Sequence, residues 1–311
     1  MDFRKFLIRR ERKEPPWLES WEDELLRVSS PPKPRIAVNI ILFLLTVFTT
    51  LLAGAIQEGV NPLKNPEGII KGIPFSFTLI GILLAHELGH YLIARKYGMN
   101  VTLPYFIPAP PYPPLPIGTF GAIIKMRSPV RDRRMLLDVG ATGPLVGVAV
   151  SIPFLILGLR LSEVRLIQGQ VGMTLGSSLL LSLLSWLVVG PIPKGYDIAI
   201  HPVGFAGWLG LLVTSLNLLP IGQLDGGHVA YALLGERQNI ISKYVFLAIL
   251  ALAIFGWPGW LLWGLLLFIM GFRHPPPMDW WVPLDRKRKI IGWLTLAVFI
   301  LTFIPVPFSG F

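Results

Sequence analysis

Apolar residues gather in long runs, and the polar stretches between them are short and rich in lysine and arginine. The runs cover Ile36–Ile56, Phe75–Lys96, Leu136–Leu159, Met173–Gly190, Phe205–Leu234, Ile240–Phe255, Gly259–Phe272 and Ile290–Val306. Several reach the roughly 20 residues a helix needs to cross about 30 Å of hydrocarbon. Met173–Gly190, Ile240–Phe255 and Gly259–Phe272 are short for that, which suits tilted, interfacial or re-entrant segments. The pattern predicts an all-α polytopic membrane protein with about six to eight membrane helices. Residues 1–35 break the pattern. They are polar and charged, yet Trp17, Leu18, Trp21, Leu25 and Val28 recur at helical spacing. That segment reads as a cytoplasmic or interfacial piece, a short surface helix or a solvated tail, ahead of an integral membrane domain over 36–311.

Composition agrees: 53% of the residues are hydrophobic and 15% charged, with a mean hydropathy of +0.61. A net charge of +10 raises the question of nucleic acid. The basic residues flank the apolar runs, as cytoplasmic loops require, so the partner they imply is the lipid bilayer and not nucleic acid. Nine of them precede Ile36, two (Lys64 and Lys71) lie between the first two runs, and seven stretch from Arg95, at the end of the second run, to Arg134. The N-terminus is therefore expected inside, with the Phe75–Lys96 helix returning inward. Arg237, Lys243, Arg273 and the Arg286–Lys289 cluster put the later connections inside too. An even number of crossings must then separate Leu161 from Gly204, which makes Met173–Gly190 re-entrant or interfacial. The cell membrane is the expected location. Cysteine is absent, which excludes disulfides and thiolate metal ligands.

Chemistry enters at His86-Glu87-Leu88-Gly89-His90, inside the second apolar run. HExxH on a helix puts two imidazoles on one face, where both can hold one Zn²⁺, and places the glutamate to act as a base on the metal's water. Ionisable side chains at membrane depth are costly and mark a functional site. The orientation above puts this pair in the cytoplasmic half of the membrane.

A third protein ligand must come from carboxylates or histidines. Asn217-Leu-Leu-Pro220-Ile-Gly222-Gln-Leu-Asp225-Gly226-Gly227-His228 sits in another apolar run. Pro220 removes a helix hydrogen bond and the glycines loosen the backbone, predicting a broken helix that aims Asp225 and Asn217 into a polar cavity. Asp225 is the expected ligand in preference to His228, because an unpaired carboxylate in a bilayer needs a cation and a neutral imidazole does not. Asn217 is read either as a donor to the substrate or oxyanion or as a buried amide steadying the break. His201 is expected to be structural, and His274 an interfacial loop residue.

Between the two motifs, Pro104 to Pro116 is too proline-rich for a helix or a central strand. Ile117 to Met126 reads as a short strand with glycine breaks. It is either a segment that pairs with an extended substrate or an ordinary packed loop.

HExxH in one span with NxxP…LDG in a later one resembles the site-2 protease family of intramembrane zinc metalloproteases. The family pattern falls on His86, Glu87, His90, Asn217, Pro220, Asp225 and Gly226 without a mismatch. Gly118-Thr-Phe-Gly121 resembles its G-x-x-G hairpin, Gly140-Ala-Thr-Gly-Pro144 its third core helix, and His201 to Trp208 the branch with chloroplast members. The resemblance covers roughly residues 75–234. It implies a three-helix catalytic core without PDZ or CBS domains, one Zn²⁺, metal ligands His86, His90 and Asp225, and catalytic roles for Glu87 and Asn217. Gly118, Gly121, Asn217 and Pro220 are the implied substrate-binding residues. The implied substrate is a transmembrane protein, cleaved within its membrane segment. A catalytically silent membrane chaperone and a transporter of similar build are the competing readings.

Overall fold

The computed structural model describes residues 36–112, 117–166 and 174–309. The segment around Trp17 to Val28, expected as a short surface helix or a solvated tail, and the residues Pro113–Pro116 lie outside them. Nine α-helices occur among the described residues. The first is α1, Ile36–Gln57; a 3₁₀ turn at Pro66–Gly72 then leads straight into α2, Ile73–Lys96. α3 is Arg133–Leu161, α4 Leu179–Val188, α5 Pro202–Asn217 and α6 Asp225–Leu234. α7 (Arg237–Phe255), α8 (Trp260–Met270) and α9 (Arg286–Thr302) complete the chain.

Among the described residues, four segments are long and apolar enough to cross a membrane: Ile36–Gln57, Pro66–Lys96, Arg133–Leu161 and Arg237–Phe255. α4, α5 and α8 are apolar but shorter. α5 and α6 are the halves of the one span expected at Phe205–Leu234, interrupted where Pro220 withholds its N–H. α1, α7 and α8 turn large apolar side chains outward, among them Leu44, Phe48, Phe255, Leu262 and Phe268. In water that much exposed apolar surface would be a liability; against lipid it is the expected solvent face.

The core lies where α2, α3 and α5 meet, with Phe75, Leu79, Leu155, Trp208 and Leu211 at almost zero exposure. α3 starts on a capping Asp132, whose carboxylate accepts from the Met135 N–H at 2.8 Å. His201 caps α5 by accepting from the Val203 N–H at 3.3 Å, the structural role expected of it.

Among the described residues, six short strands form three two-stranded antiparallel pairs. β1 (Tyr105–Pro108) and β2 (Thr119–Ile123) make a hairpin with Tyr105 opposite Ile123 and Phe106 opposite Ala122. It hangs from α1: Asn39 Nδ2 donates to the Leu103 and Pro104 carbonyls at 3.1 and 3.0 Å, and Thr49 Oγ1 to the Gly118 carbonyl at 2.6 Å. β3 (Glu163–Leu166) pairs with β5 (Tyr196–Ala199), Arg165 facing Asp197. β4 (Thr174–Leu175) pairs with β6 (Phe308–Ser309). Among the described residues between β3 and β5, the one helix is the ten-residue α4, about 15 Å long. That is half the hydrocarbon thickness, so α4 alone does not cross it.

Candidate metal centre

His86 and His90 share the α2 face that packs on α3, both buried. Their Nε2 atoms lie 3.2 Å apart. Asp225, the first residue of α6, brings Oδ2 to 3.2 Å from His90 Nε2 and 3.3 Å from His86 Nε2. The backbone that delivers it is the break after α5. Gly222 takes a positive φ of 52° there, which a Cβ would oppose. The groups freed by the break are met from α7: Ser242 Oγ donates to the Pro220 carbonyl at 3.1 Å and lies 3.4 Å from the Gly222 N–H, and Gln238 Nε2 donates to Ser242 at 2.7 Å.

The donor set fits zinc on two counts. His90 Nδ1 sits 2.8 Å from the Val139 carbonyl, which only accepts, so Nδ1 carries the proton and Nε2 presents a lone pair. That lone pair, the His86 Nε2 atom and a carboxylate oxygen converge on one point, an arrangement that a cation would satisfy. The triangle also has the right size: bonds of about 2.0–2.1 Å in a tetrahedron give edges of about 3.3 Å. His86, His90 and Asp225 would hold the ion. The three side chains line a cavity of about 330 Å³ together with Glu87, Asn217, Gln223, His228 and Ala122–Ile124.

Glu87 is buried on this wall, beside the Ile124 backbone N–H. Asn217 ends α5 with Nδ2 3.5 Å from His86 Nε2. Gly118 and Pro220 do not line the cavity: Gly118 lies against α1, and the Pro220 carbonyl turns to Ser242. Gly121, buried, donates its N–H to Thr119 Oγ1 at 3.0 Å and shapes the hairpin; the three residues after it reach the site. His228 faces away from the ligand triangle through Nδ1, which meets His274 Nε2 at 2.7 Å. His274 lies in the α8–α9 connection but is buried, because its ring also stacks on Tyr231 at 4.6 Å.

Sequence reasoning missed Val139 and Gly143. The first acts through its carbonyl, which residue type does not advertise. The second lies where a Cβ would overlap the His90 ring, so only glycine lets α3 approach α2 this closely. The Gly140-to-Pro144 stretch carried a signal for that approach without saying what it faced.

No solved structure matches this chain. Among curated proteins, "Probable zinc metalloprotease EGY1, chloroplastic" of Arabidopsis thaliana is 32% identical over 86% of this chain and 53% of its own length. Its counterpart of the same name in Oryza sativa subsp. japonica is 30% identical over 91% of this chain and 52% of its own. "Probable zinc metalloprotease EGY2, chloroplastic" of Arabidopsis is 29% identical over 86% and 48%. The chain spans about half the length of these relatives. Their names place them in the chloroplast and lend no support to a cell membrane location. The description "Peptidase family M50" fits residues 74–255, a stretch that covers α2 from its second residue, all of α3, α5 and α6, and all three converging ligands. The chain belongs to peptidase family M50.

Proposed function

We propose that the chain is a zinc metalloendopeptidase that cleaves membrane-spanning segments of other proteins. One observation carries this reading: three metal-binding lone pairs and a carboxylate base share a small cavity inside a bundle with an apolar exterior. Bound there, zinc acts as a Lewis acid on the scissile carbonyl and brings the pKa of a water to about 7.

Glu87 takes the proton of the attacking water on its carboxylate and delivers it to the leaving amine. Asn217 Nδ2 donates toward the carbonyl oxygen as charge builds there. A cavity of about 330 Å³ is too small for an intact helix about 10–12 Å across, so the substrate must unwind before it reaches Glu87. β2 has β1 as its single strand partner among the described residues, and Ala122 to Ile124 form the cavity wall. An extended substrate adding to that edge regains backbone hydrogen bonds lost on unwinding. The hairpin as a unit is thus the substrate platform, with Gly118 and Gly121 shaping it and Pro220 shaping the wall opposite. The excess of lysine and arginine at the start of α7, between α8 and α9 and after α2 supports a site nearer the basic, cytoplasm-like side of the membrane. Residues 36–311 are read as the membrane protease domain and 1–35 as a segment on that same side.

Purified protein in lipid nanodiscs, assayed for zinc and for cleavage of a fluorescent transmembrane reporter, tests the proposal. About one zinc per chain and cleavage that stops in Glu87→Gln support it. Zinc without cleavage points to a silent chaperone, and neither points to a transporter.

A further inference from the structure

A second cavity, of about 500 Å³, adjoins the catalytic one. Ile123, Ile124, Met126, Gln223 and His228 belong to the walls of both. Its far wall is His274 with the Pro275–Met278 segment. This segment lies on the basic side, since the next residue, Asp279, donates its N–H to the Arg131 carbonyl at 2.7 Å. His228 therefore stands in the passage between the site and the side where the basic loops gather.

Its protonation pattern follows from its neighbour. His274 Nδ1 lies 2.6 Å from the Pro275 carbonyl, an acceptor only, so that nitrogen carries hydrogen. Burial holds the His274 imidazole below its ordinary pKa, against the pull of the Pro275 carbonyl, and a neutral ring then offers a lone pair at Nε2. His228 Nδ1, 2.7 Å away, must donate to it. The proton of a neutral His228 is thereby committed, and its Nε2 is an acceptor. His274 is held in place: its backbone N–H donates to Asn239 Oδ1 at 3.3 Å and its ring stacks on Tyr231. His228 Nε2 bonds no described residue. It is not sealed in either, because Gln238 Oε1 is the one fully buried side-chain polar atom without a partner among the described residues.

Resting on the protease reading above, we infer that His228 Nε2 accepts a backbone N–H of the unwound substrate on the basic side of the scissile bond. His274 is the positioning residue that fixes the required tautomer. A peptide unwound at membrane depth has N–H groups with no helical carbonyl left to bond. The β2 edge meets one side of that peptide, and His228 meets the other.

The test pairs substrate chemistry with spectroscopy. Reporters carrying one backbone ester each, scanned over the residues flanking the cleavage site, remove single N–H donors. In wild type, one ester on the basic side should lower kcat/KM about three- to tenfold, the worth of one neutral hydrogen bond. In His228→Ala the same ester should cost nothing further, with zinc content unchanged and the loss against wild type mostly in KM. His228→Gln, which keeps an amide oxygen at similar reach, should recover part of it. In ¹⁵N spectra of the labelled protein, which has five histidines, His228 should show a protonated Nδ1 and a bare Nε2. His274→Ala should mix the two forms. Equal ester profiles in wild type and His228→Ala, or a protonated His228 Nε2 in wild type, would overturn the contact. A wild type that holds zinc yet cleaves no reporter overturns the protease reading and the contact with it, while the ¹⁵N pattern still reports on the His228–His274 pair itself.

Discussion

Arg288, near the foot of α9, clamps Asp138 in the first turns of α3. Its Nε lies 3.0 and 3.1 Å from the two carboxylate oxygens and its Nη2 2.7 Å from one of them. Nη2 also reaches the Tyr97 hydroxyl, just past α2, at 3.0 Å. Asp138 precedes Val139, whose carbonyl fixes the His90 ring, so one guanidinium ties three helices together beside the metal centre. Arg288→Lys keeps the charge and loses the fork. Part of the network is exposed, which trims its worth; a loss of about 1–2 kcal/mol is expected. A lower unfolding temperature in detergent, with a smaller drop in Tyr97→Phe, checks this.

Glu87→Gln should leave zinc in place and remove the base. Cleavage is expected to fall about 10²–10⁴-fold, measured on the reporter with metal content determined on the same sample. A variant that keeps zinc and near-normal turnover would refute the role given to Glu87.

Asp225→Asn leaves the two imidazoles with a neutral amide at the third corner. Zinc occupancy should collapse, since a carboxylate is the ligand type zinc accepts there. His228→Ala should keep its zinc, because that side chain spends Nδ1 on His274. Metal analysis of both variants after the same dialysis decides the matter, and the reverse ranking would make the site a three-histidine one.

Gly143→Ala separates helix propensity from function. Alanine favours a helix interior by about 1 kcal/mol over glycine, so an isolated α3 peptide in detergent should gain helicity. In the folded protein the added methyl collides with the His90 ring, and overpacking of that kind costs about 1–3 kcal/mol. Lower zinc affinity alongside a better helix former is the expected result.

Arg165 and Lys194 should lie on one side of the membrane. β3 sets Arg165 opposite Asp197, three residues beyond Lys194, and α4 between them is too short to cross. The absence of native cysteine makes the check direct. Arg165→Cys and Lys194→Cys in sealed vesicles should react with an impermeant thiol reagent from the same side, whereas opposite labelling would make the segment a full crossing.

The HExxH spacing and the broken LDG helix made His86, His90 and Asp225 legible in the sequence, because helical periodicity and a proline break are local properties. The apolar runs at Ile36–Ile56 and Leu136–Leu159 likewise located α1 and α3, which extend one residue beyond the first run and three and two beyond the ends of the second. What stayed hidden acts at long range. The Val139 carbonyl has no residue code, and the pairing of His228 with His274 joins positions 46 residues apart. His274 reads as an interfacial loop residue since three prolines follow it, yet its ring is buried against Tyr231 and His228. Gly118 and Pro220, conspicuous in sequence, serve the backbone around the cavity and not its wall.

Ser242 gives α7 a duty that hydropathy would never assign to it. In hydrocarbon no water stands ready to satisfy a backbone carbonyl or N–H released by a proline, so a break like that at Pro220 survives only if a neighbour supplies the partner. α7 is that neighbour, and the family match runs to Phe255, its last residue. The smallest fragment able to keep Asp225 aimed therefore closes after α7. Cutting at Leu234 would strand polar backbone in lipid and let the ligand swing free, however intact the motifs looked on paper.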